Sequence, residues 1–457
     1  MGPERAGAGR ARVIRTLVVV AALVIGWTFA IQSPLFAAAF YLWIAYFRPE
    51  SWAWSDVFTT LNLSYFAGAF LLVRTAFSPT KLRIDYRNVM MFVFLALGLV
   101  SSLLGPNPSY SMGYWQEFAK AIVICYLLTI LINSAADLRL ILTVIVLSLG
   151  FEAGKQGWAN LVLNPGAPNT NGVPFLGDNN LVAVGMAMLL PMAGALGATA
   201  EGWRKRAYQF LSIGVFYRAI STYSRGGLLA VGAVGGMYFW RSQHKLRTVA
   251  AFALAVALVL PVLPQAYWDR MGTIMAPAEE RDDSQQSRLH FWQVAVAMAN
   301  DRPWTGVGHA GYPRAYNQYD WTQGQYLTNR AVHSAWFGVL AELGYPGLLL
   351  FIAIVFTSLR ACRRVRKSAQ RGEIPGPLGP YAIGLESALI AFIVGGSFVS
   401  FQYNEMLWHF FALTMALEAV AVKEAAAERA RLAALQQPPP AAAPRPAAVP
   451  EPEFAWG

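Results

Sequence analysis

NLVAVGMAMLLPMAGALGAT, residues 180–199, contains no Asp, Glu, Lys or Arg over twenty consecutive positions. A helix of that length rises ~30 Å, the thickness of the hydrocarbon core of a bilayer. No water is available there to satisfy a free N–H or C=O, so a spanning stretch has to be a helix that bonds its own backbone. The rest of the chain repeats the pattern. Hydrophobic residues make up 56% of 457 and charged residues 13%, against about 25% charged in an average soluble domain. Further apolar blocks lie near residues 17–31, 34–47, 57–76, 88–104, 118–133, 138–153, 208–222, 226–240, 246–263, 334–359, 381–403 and 405–422. The expected fold is all-α, a polytopic membrane bundle of about twelve transmembrane helices that uses most of the chain.

The formal charge of +11 does not point to nucleic acid. The basic residues fall in short clusters between apolar blocks, which is the orientation signal of a membrane protein. The clusters are Arg5 to Arg15, Lys81/Arg83/Arg87, Arg204/Lys205/Arg206, Arg241/Lys245/Arg247 and Arg360 to Arg371. With all of them in the cytoplasm, the later segments alternate without conflict. Only Gln32, Ser33 and Pro34 separate the first two segments, which are either two thin helices or one kinked hairpin. Counted as one crossing, they give twelve crossings with both termini inside. Counted as two, they put four amino-terminal arginines outside, so the charge rule favours twelve. Arg10 to Arg15 followed by Leu17 to Ile31 has the profile of a signal peptide without a convincing cleavage site, and is expected to be a retained first segment. Cys125 and Cys362 lie in different segments, so neither a disulfide nor a metal site is expected.

This topology divides the chain into amino-terminal helices (1–264), a long periplasmic loop (265–333), carboxy-terminal helices (334–422), and a cytoplasmic helix with a disordered Pro/Ala tail (423–457). No internal repeat is evident, whereas repeats are common in secondary transporters. The loop is rich in aromatics, among them Tyr267, Trp268, Trp304, Tyr312, Trp321 and Tyr326. Within it, Ser287 to Asn300 reads as an amphipathic helix with Leu289, Trp292, Val296 and Ala299 on one face. Interfacial aromatics suit a segment lying at headgroup level.

Five cations then fall at the outer ends of helices, where orientation does not need them: Lys155, Arg218, Arg225, Arg288 and Arg330. Ionisable groups at membrane depth are costly and usually face an interior or a watery cavity. Singly, each could snorkel to a phosphate or pair with Glu152 or Asp178. Five on one side point instead to an outward-facing diphosphate site, since arginine's planar fork binds phosphate bidentately. Of the five histidines, His244 sits in a basic loop, His290 on a helix surface and His409 inside the last segment. His333 stands where the outer loop re-enters the membrane, placed to take a proton from a hydroxyl near neutral pH. Asp178-Asn179-Asn180 reads first as a helix N-cap and leaves room for a sugar contact. No Cys/His spacing fits zinc and no Gly-Lys-Ser phosphate loop appears. Asp282-Asp283 forms no paired-carboxylate arrangement, and Gly306-Val307-Gly308 is too short for a dinucleotide fingerprint.

Taken in order, these residues resemble the O-antigen ligase superfamily of bacterial membrane glycosyltransferases, within it the O-glycosylation ligases associated with the exosortase A system. The resemblance runs from about residue 34 to about residue 360. It rests on Pro34 to Pro49, Gly150 to Gly157, Gly177-Asp178-Asn179-Asn180, Tyr223-Ser224-Arg225-Gly226-Gly227, Ser287-Arg288 to Gly308, and His333-Ser334 through Glu342-Leu343-Gly344 to Gly347. It implies a metal-independent, inverting, GT-C-like enzyme of twelve helices, without cofactor, that joins a glycan from undecaprenyl diphosphate to an acceptor hydroxyl. His333 matches the family's essential histidine, and Arg225 and Arg288 match its diphosphate-holding arginines. Lys155, Arg218, Asp178 and Glu342 fall in family-like segments, the first two as further diphosphate contacts and the others, with Asn179, as sugar or structural contacts. Gln156-Gly157 stands where two glycines are expected, and the tail after Gln436 is not a family feature. The expected setting is the inner membrane, with the site facing the periplasm and a glycan, lipid or protein hydroxyl as acceptor. A polymerase of the same superfamily, a flippase for lipid-linked sugars and a non-catalytic scaffold are the competing readings.

Overall fold

The computed structural model describes residues 3–53, 60–241, 263–272, 283–374 and 376–435, with isolated positions between 244 and 257. The segment expected near 246–263 and the tail after Gln436 therefore lie largely or wholly outside the described residues. Fifteen α-helices and no strand are found among the described residues. In chain order they are α1 (Pro3–Gln32), α2 (Pro34–Phe47), α3 (Leu63–Ala76), α4 (Tyr86–Leu104), α5 (Pro108–Leu131), α6 (Ala135–Leu163), α7 (Asn179–Ala198) and α8 (Gly202–Ile220). There follow α9 (Arg225–Arg241), α10 (Gln265–Gly272), α11 (Asp283–Asp301), α12 (Tyr312–Tyr319), α13 (Ala335–Gln370), α14 (Leu378–Gly395) and α15 (Glu405–Leu435). Seven of them, α1, α4, α5, α7, α13, α14 and α15, are long and apolar enough to cross a membrane, and α2 and α3 are shorter apolar helices. The chain is a multi-pass, all-α membrane protein.

Helix α7, the stretch quoted at the outset, is central: it packs on α6, α8, α9 and α14, and 78% of its apolar window is buried against 17% for α1 at the periphery. Polar caps set the helix starts, where free N–H groups need acceptors. Ser134 accepts from Asp137 N at 3.1 Å, Asp85 from Arg87 N at 2.8 Å and Asp178 from Asn180 N at 2.7 Å. Helices α7, α9, α13 and α15 begin at one end of the bundle, here the site end, where α6 and α8 finish.

The far end gathers the basic clusters. Glu386, fully buried, pairs with Arg241 at 2.5 Å, Arg366 at 3.2 Å and Arg363 at 3.3 Å. Arg87 pairs with Glu418 at 2.7 Å and Asp85 at 3.0 Å. One end thus carries most of the charge that the orientation rule counts.

The first two segments depart from the expectation of a single crossing. Ser33 caps α2 through Phe36 N, Pro34 opens it, and the chain reverses sharply. Trp27 then meets Phe40 at 5.1 Å and Phe29 meets Phe36 at 5.7 Å between ring centroids, so α1 and α2 form an antiparallel pair. Arg74 of α3 donates to the carbonyls of Ile31 and Gln32, each at 3.2 Å, tying the turn to the far end. Arg15 consequently lines a cavity with Trp52 and Lys155 at the site end. The start of α1 lies at the end opposite to the one its arginines indicate, because hairpin packing rather than loop charge sets its direction. Two smaller corrections concern helix extents. The cytoplasmic helix expected from Lys423 is continuous with α15, and the buried side of α11 runs through Phe291, Val294, Ala295, Met298 and Ala299, so that of the expected face Ala299 is buried and Trp292 packs on the core while Leu289 is 45% exposed.

Candidate active site

The loop between the two sets of helices folds into a small core of its own. Phe291, Val294 and Met298 of α11 pack with Val307, with Tyr312 and Tyr316 of α12, and with Val332. Backbone bonds dock this core on α13: Val307 N donates to Ala341 O and Tyr345 N to Pro303 O, each at 2.9 Å. Gly306 (φ 68°) and Gly344 (φ 67°) both adopt the left-handed region, which glycine enters without steric cost. A Cβ on Gly306 would strike the Glu342 carbonyl, and one on Gly344 the Pro303 carbonyl. Glu342, 3% exposed, accepts from Tyr312 N at 3.3 Å and Gln402 Nε2 at 3.2 Å. Its carbonyl accepts from Ser101 Oγ at 2.5 Å. Of the two roles expected for Glu342, the geometry carries the structural one.

His333 stands at the seam between this core and the bundle, with φ 49°. A positive φ is uncommon for a residue with a side chain and costs about 1–3 kcal/mol, so it persists only where its surroundings impose it. Here they do. Val332 is buried on one side. On the other, Ser334 caps α13 through Phe337 N, and Ala335 N is held by Gly396 O at 2.7 Å. The imidazole lies 6.2 Å from the Phe291 ring. Burial first, then the guanidinium groups of Arg288 and Arg330, hold its pKa down to about 4, with Asp178 opposing. The ring is therefore neutral at physiological pH. Arg330 also lies over the Phe291 ring at 5.5 Å. Arg330 is one of the five outer cations in the sequence, but no family motif singles it out. Its proximity to His333 is a tertiary fact.

Three helix starts converge on the same place. Asp178 caps α7, as read from sequence, through Asn180 N and Leu181 N, and Asn179 is the first residue of that helix. Asn180 Oδ1 accepts from Ser224 Oγ at 2.8 Å, fixing the start of α9 and with it Arg225, which is 8% exposed. A Cβ on Gly226 would lie 3.0 Å from Phe398, next to the residues that hold Ala335. Helix N-termini present partial positive charge and free N–H groups to an anion. Arg225, Arg288 and Arg330 add full charges.

Two of the expected diphosphate contacts point elsewhere. Arg218 is fully buried and donates to Gln156 Oε1 at 2.9 Å, Asn169 O at 3.3 Å and Asn171 O at 2.5 Å. It clamps the 164–178 loop to α6 and α8, and Gln156, which departs from the family pattern, is its partner. Lys155 pairs with Glu152 at 2.7 Å and sits 4.5 Å from the Trp52 ring, where Gly172 and Pro174 line the cavity. The other end of that loop, Asp178, is the one that acts on His333.

Three other histidines are held in contacts away from His333. His290 Nε2 bonds Asp320 Oδ1 at 2.9 Å. Asp320 also accepts from Thr322 and Gly324, and these bonds hold its carboxyl below the usual carboxylate range. His309 is packed 3.8 Å from Tyr403 and 5.0 Å from Phe118, and burial lowers its pKa to about 3. His409 Nδ1 bonds Tyr46 Oη at 2.8 Å. Among the described residues no three of His, Cys, Asp and Glu come together as a metal-binding group, and both cysteines are free and buried. Asp282, one half of the acidic pair noted in the sequence, lies outside the described residues.

Residues 210–352 match the family described as O-Antigen ligase. The chain thus carries an O-antigen ligase domain over this segment, which supports the O-antigen ligase superfamily. The matched segment holds Arg218, Arg225, Arg288, Arg330, His333 and Glu342, so the convergence described above lies almost wholly within the ligase domain. Residues 14–168 match a family of unknown function (DUF5935), which includes Lys155, and Asp178 and Asn179 fall between the two. No curated protein matches the sequence.

Proposed function

We propose that this protein transfers a glycan from undecaprenyl diphosphate to an acceptor hydroxyl, with inversion, at the periplasmic face of a bacterial inner membrane. The observation that carries the proposal is the placement of His333 beside Arg288 and Arg330, where the starts of α7, α9 and α13 meet. Arg225, Arg288 and Arg330 hold the diphosphate. His333 takes the proton of the acceptor hydroxyl as that oxygen attacks the anomeric carbon, and the bond from this carbon to the diphosphate oxygen breaks with its electron pair on the phosphate. The arginines stabilise the charge developing there, an effect worth roughly 10²–10³ in rate per donor. General-base action contributes roughly 10²–10⁴. Bound diphosphate also offsets the two guanidinium charges that depress His333, which raises its basicity when the donor is in place.

The test is glycan transfer by purified protein from a synthetic undecaprenyl diphosphate donor, wild type beside His333→Ala. Transfer that is lost in the variant, with donor binding retained, supports the base assignment. Equal transfer by both removes His333 from the mechanism. Products that lengthen by repeated glycan units, rather than a single transfer to a non-glycan acceptor, make the enzyme a polymerase.

A further inference from the structure

Two cavities outside this site share a wall. The larger, 770 Å³, is an apolar groove between α1, α2 and α6, with Ala22, Phe29, Phe40, Leu147 and Phe151 in its lining. The smaller, 240 Å³, caps its site end and is lined by Arg15, Ser51, Trp52, Glu152 and Lys155, with Gly172 and Pro174 of the loop. Trp52 joins them. Its ring lies 5.5 Å from Phe47 and 5.6 Å from Phe151, both of which line the groove, and Lys155 Nζ lies 4.5 Å from its centroid.

Helical spacing gives the two long helices the same design. On α1, Arg15, Ala22, Gly26 and Phe29 fall on one face, and on α6 so do Leu140, Val144, Leu147, Phe151 and Lys155. Each face is an apolar stripe that ends in a cation. From Leu140 to Phe151 the groove runs ~16 Å along α6, about half the ~30 Å hydrocarbon core. That length matches one leaflet, which would set the charged cap at the depth of that leaflet's phosphates.

We propose that this composite cavity binds an anionic phospholipid of the leaflet at the site end, with one acyl chain in the groove and the phosphate between Arg15 and Lys155. Two cations and the Glu152 carboxylate leave one net positive charge, which matches a singly charged phosphodiester. Glu152 holds Lys155 at 2.7 Å, and Ser51, whose hydroxyl donates to the Arg48 carbonyl at 2.7 Å, completes the wall beside Trp52. Every residue lining both cavities, except Gly172 and Pro174, falls within residues 14–168, so the proposal assigns a ligand to the domain of unknown function. It uses none of the residues that hold the donor diphosphate.

The test is native mass spectrometry of the full-length, delipidated protein in detergent, titrated with phosphatidylglycerol, phosphatidylcholine or glycerol phosphate. Melting temperature confirms folding of each variant. Phosphatidylglycerol should bind wild type at least about fivefold more tightly than phosphatidylcholine, and Lys155→Gln should abolish that preference. Ala22→Trp, at a half-buried position inside the groove, should weaken both lipids together. Where Lys155→Gln fails to fold, Arg15→Gln provides the same reading. Equal binding of the two lipids by wild type, or a preference that survives Lys155→Gln and Arg15→Gln, overturns the proposal in favour of non-selective annular lipid. Glycerol phosphate competing as well as the whole lipid overturns it in favour of a free-anion site.

Discussion

Arg218 and Arg288 are both outer cations in the sequence, yet they face different tasks. Arg218 is fully buried with its donors spent on Gln156 and on two carbonyls of the 164–178 loop. Arg218→Ala strands those acceptors, at a cost of roughly 2–5 kcal/mol, so its melting temperature should fall sharply. Arg288→Ala removes a half-buried cation beside His333. The melting temperature should stay near wild type while transfer falls roughly 10²–10³-fold. Equal melting losses in the two variants would contradict this division. At His333 the sign of the pH effect follows from its partners. Burial and then two guanidinium groups hold the imidazole at about 4, below the ordinary histidine value of about 6.5. The base is thus neutral and competent above that lowered value, and kcat/KM should fall along its acid limb only well below pH 6.5. Arg330→Gln removes one depressing charge, so the acid limb should move to higher pH. A limb that stays in place would separate Arg330 from the base.

Among the elements, α13 does most to place the site. Its first turn carries Ser334 and follows His333, and its break at Gly344 receives the 303–307 segment that closes the loop core. Gly344→Ala would force a side chain into the left-handed region and against Pro303, at a cost of at least about 1 kcal/mol. The loop core should undock. Limited proteolysis would then cut within 302–312 at protease levels that leave wild type intact, and an unchanged digest would show that the Gly344 break does not hold the core. The Glu342-Leu343-Gly344 motif was visible in the sequence, but its purpose was not, because Gly306 and Pro303 lie about forty residues away and meet it only in the fold. The face of α11 expected from the sequence is likewise only partly the buried one, with Ala299 inside and Leu289 outside. Both candidate faces are apolar, and only packing on α13 selects Phe291, Val294 and Met298 over Leu289.

Across the whole molecule, the hairpin of α1 and α2 sets the direction of the amino-terminal end. Arg15 shares a cavity with Lys155 at the site end, whereas the clusters around Arg87 and Arg241 lie at the far end. Arg15→Cys should therefore react with a membrane-impermeant thiol reagent from the same side as Trp304→Cys in the loop core. The native Cys125 and Cys362 are fully buried and give little background. Labelling of Arg15→Cys only after permeabilisation, with Trp304→Cys labelled before it, would restore the arrangement the charge rule favours.

The sequence by itself determined the helical membrane class, most helix positions, the capping role of Asp178 and the set of outer cations. These follow from local quantities: uninterrupted apolar length, short-range caps, and charge that bilayer insertion cannot ignore. Tertiary structure alone decided which cations surround His333, that Arg218 is a clamp, that Arg330 belongs with Arg288, and which way α1 runs. Those outcomes depend on contacts between residues tens to hundreds of positions apart, made through ring packing and backbone bonds that leave no periodic trace in the chain.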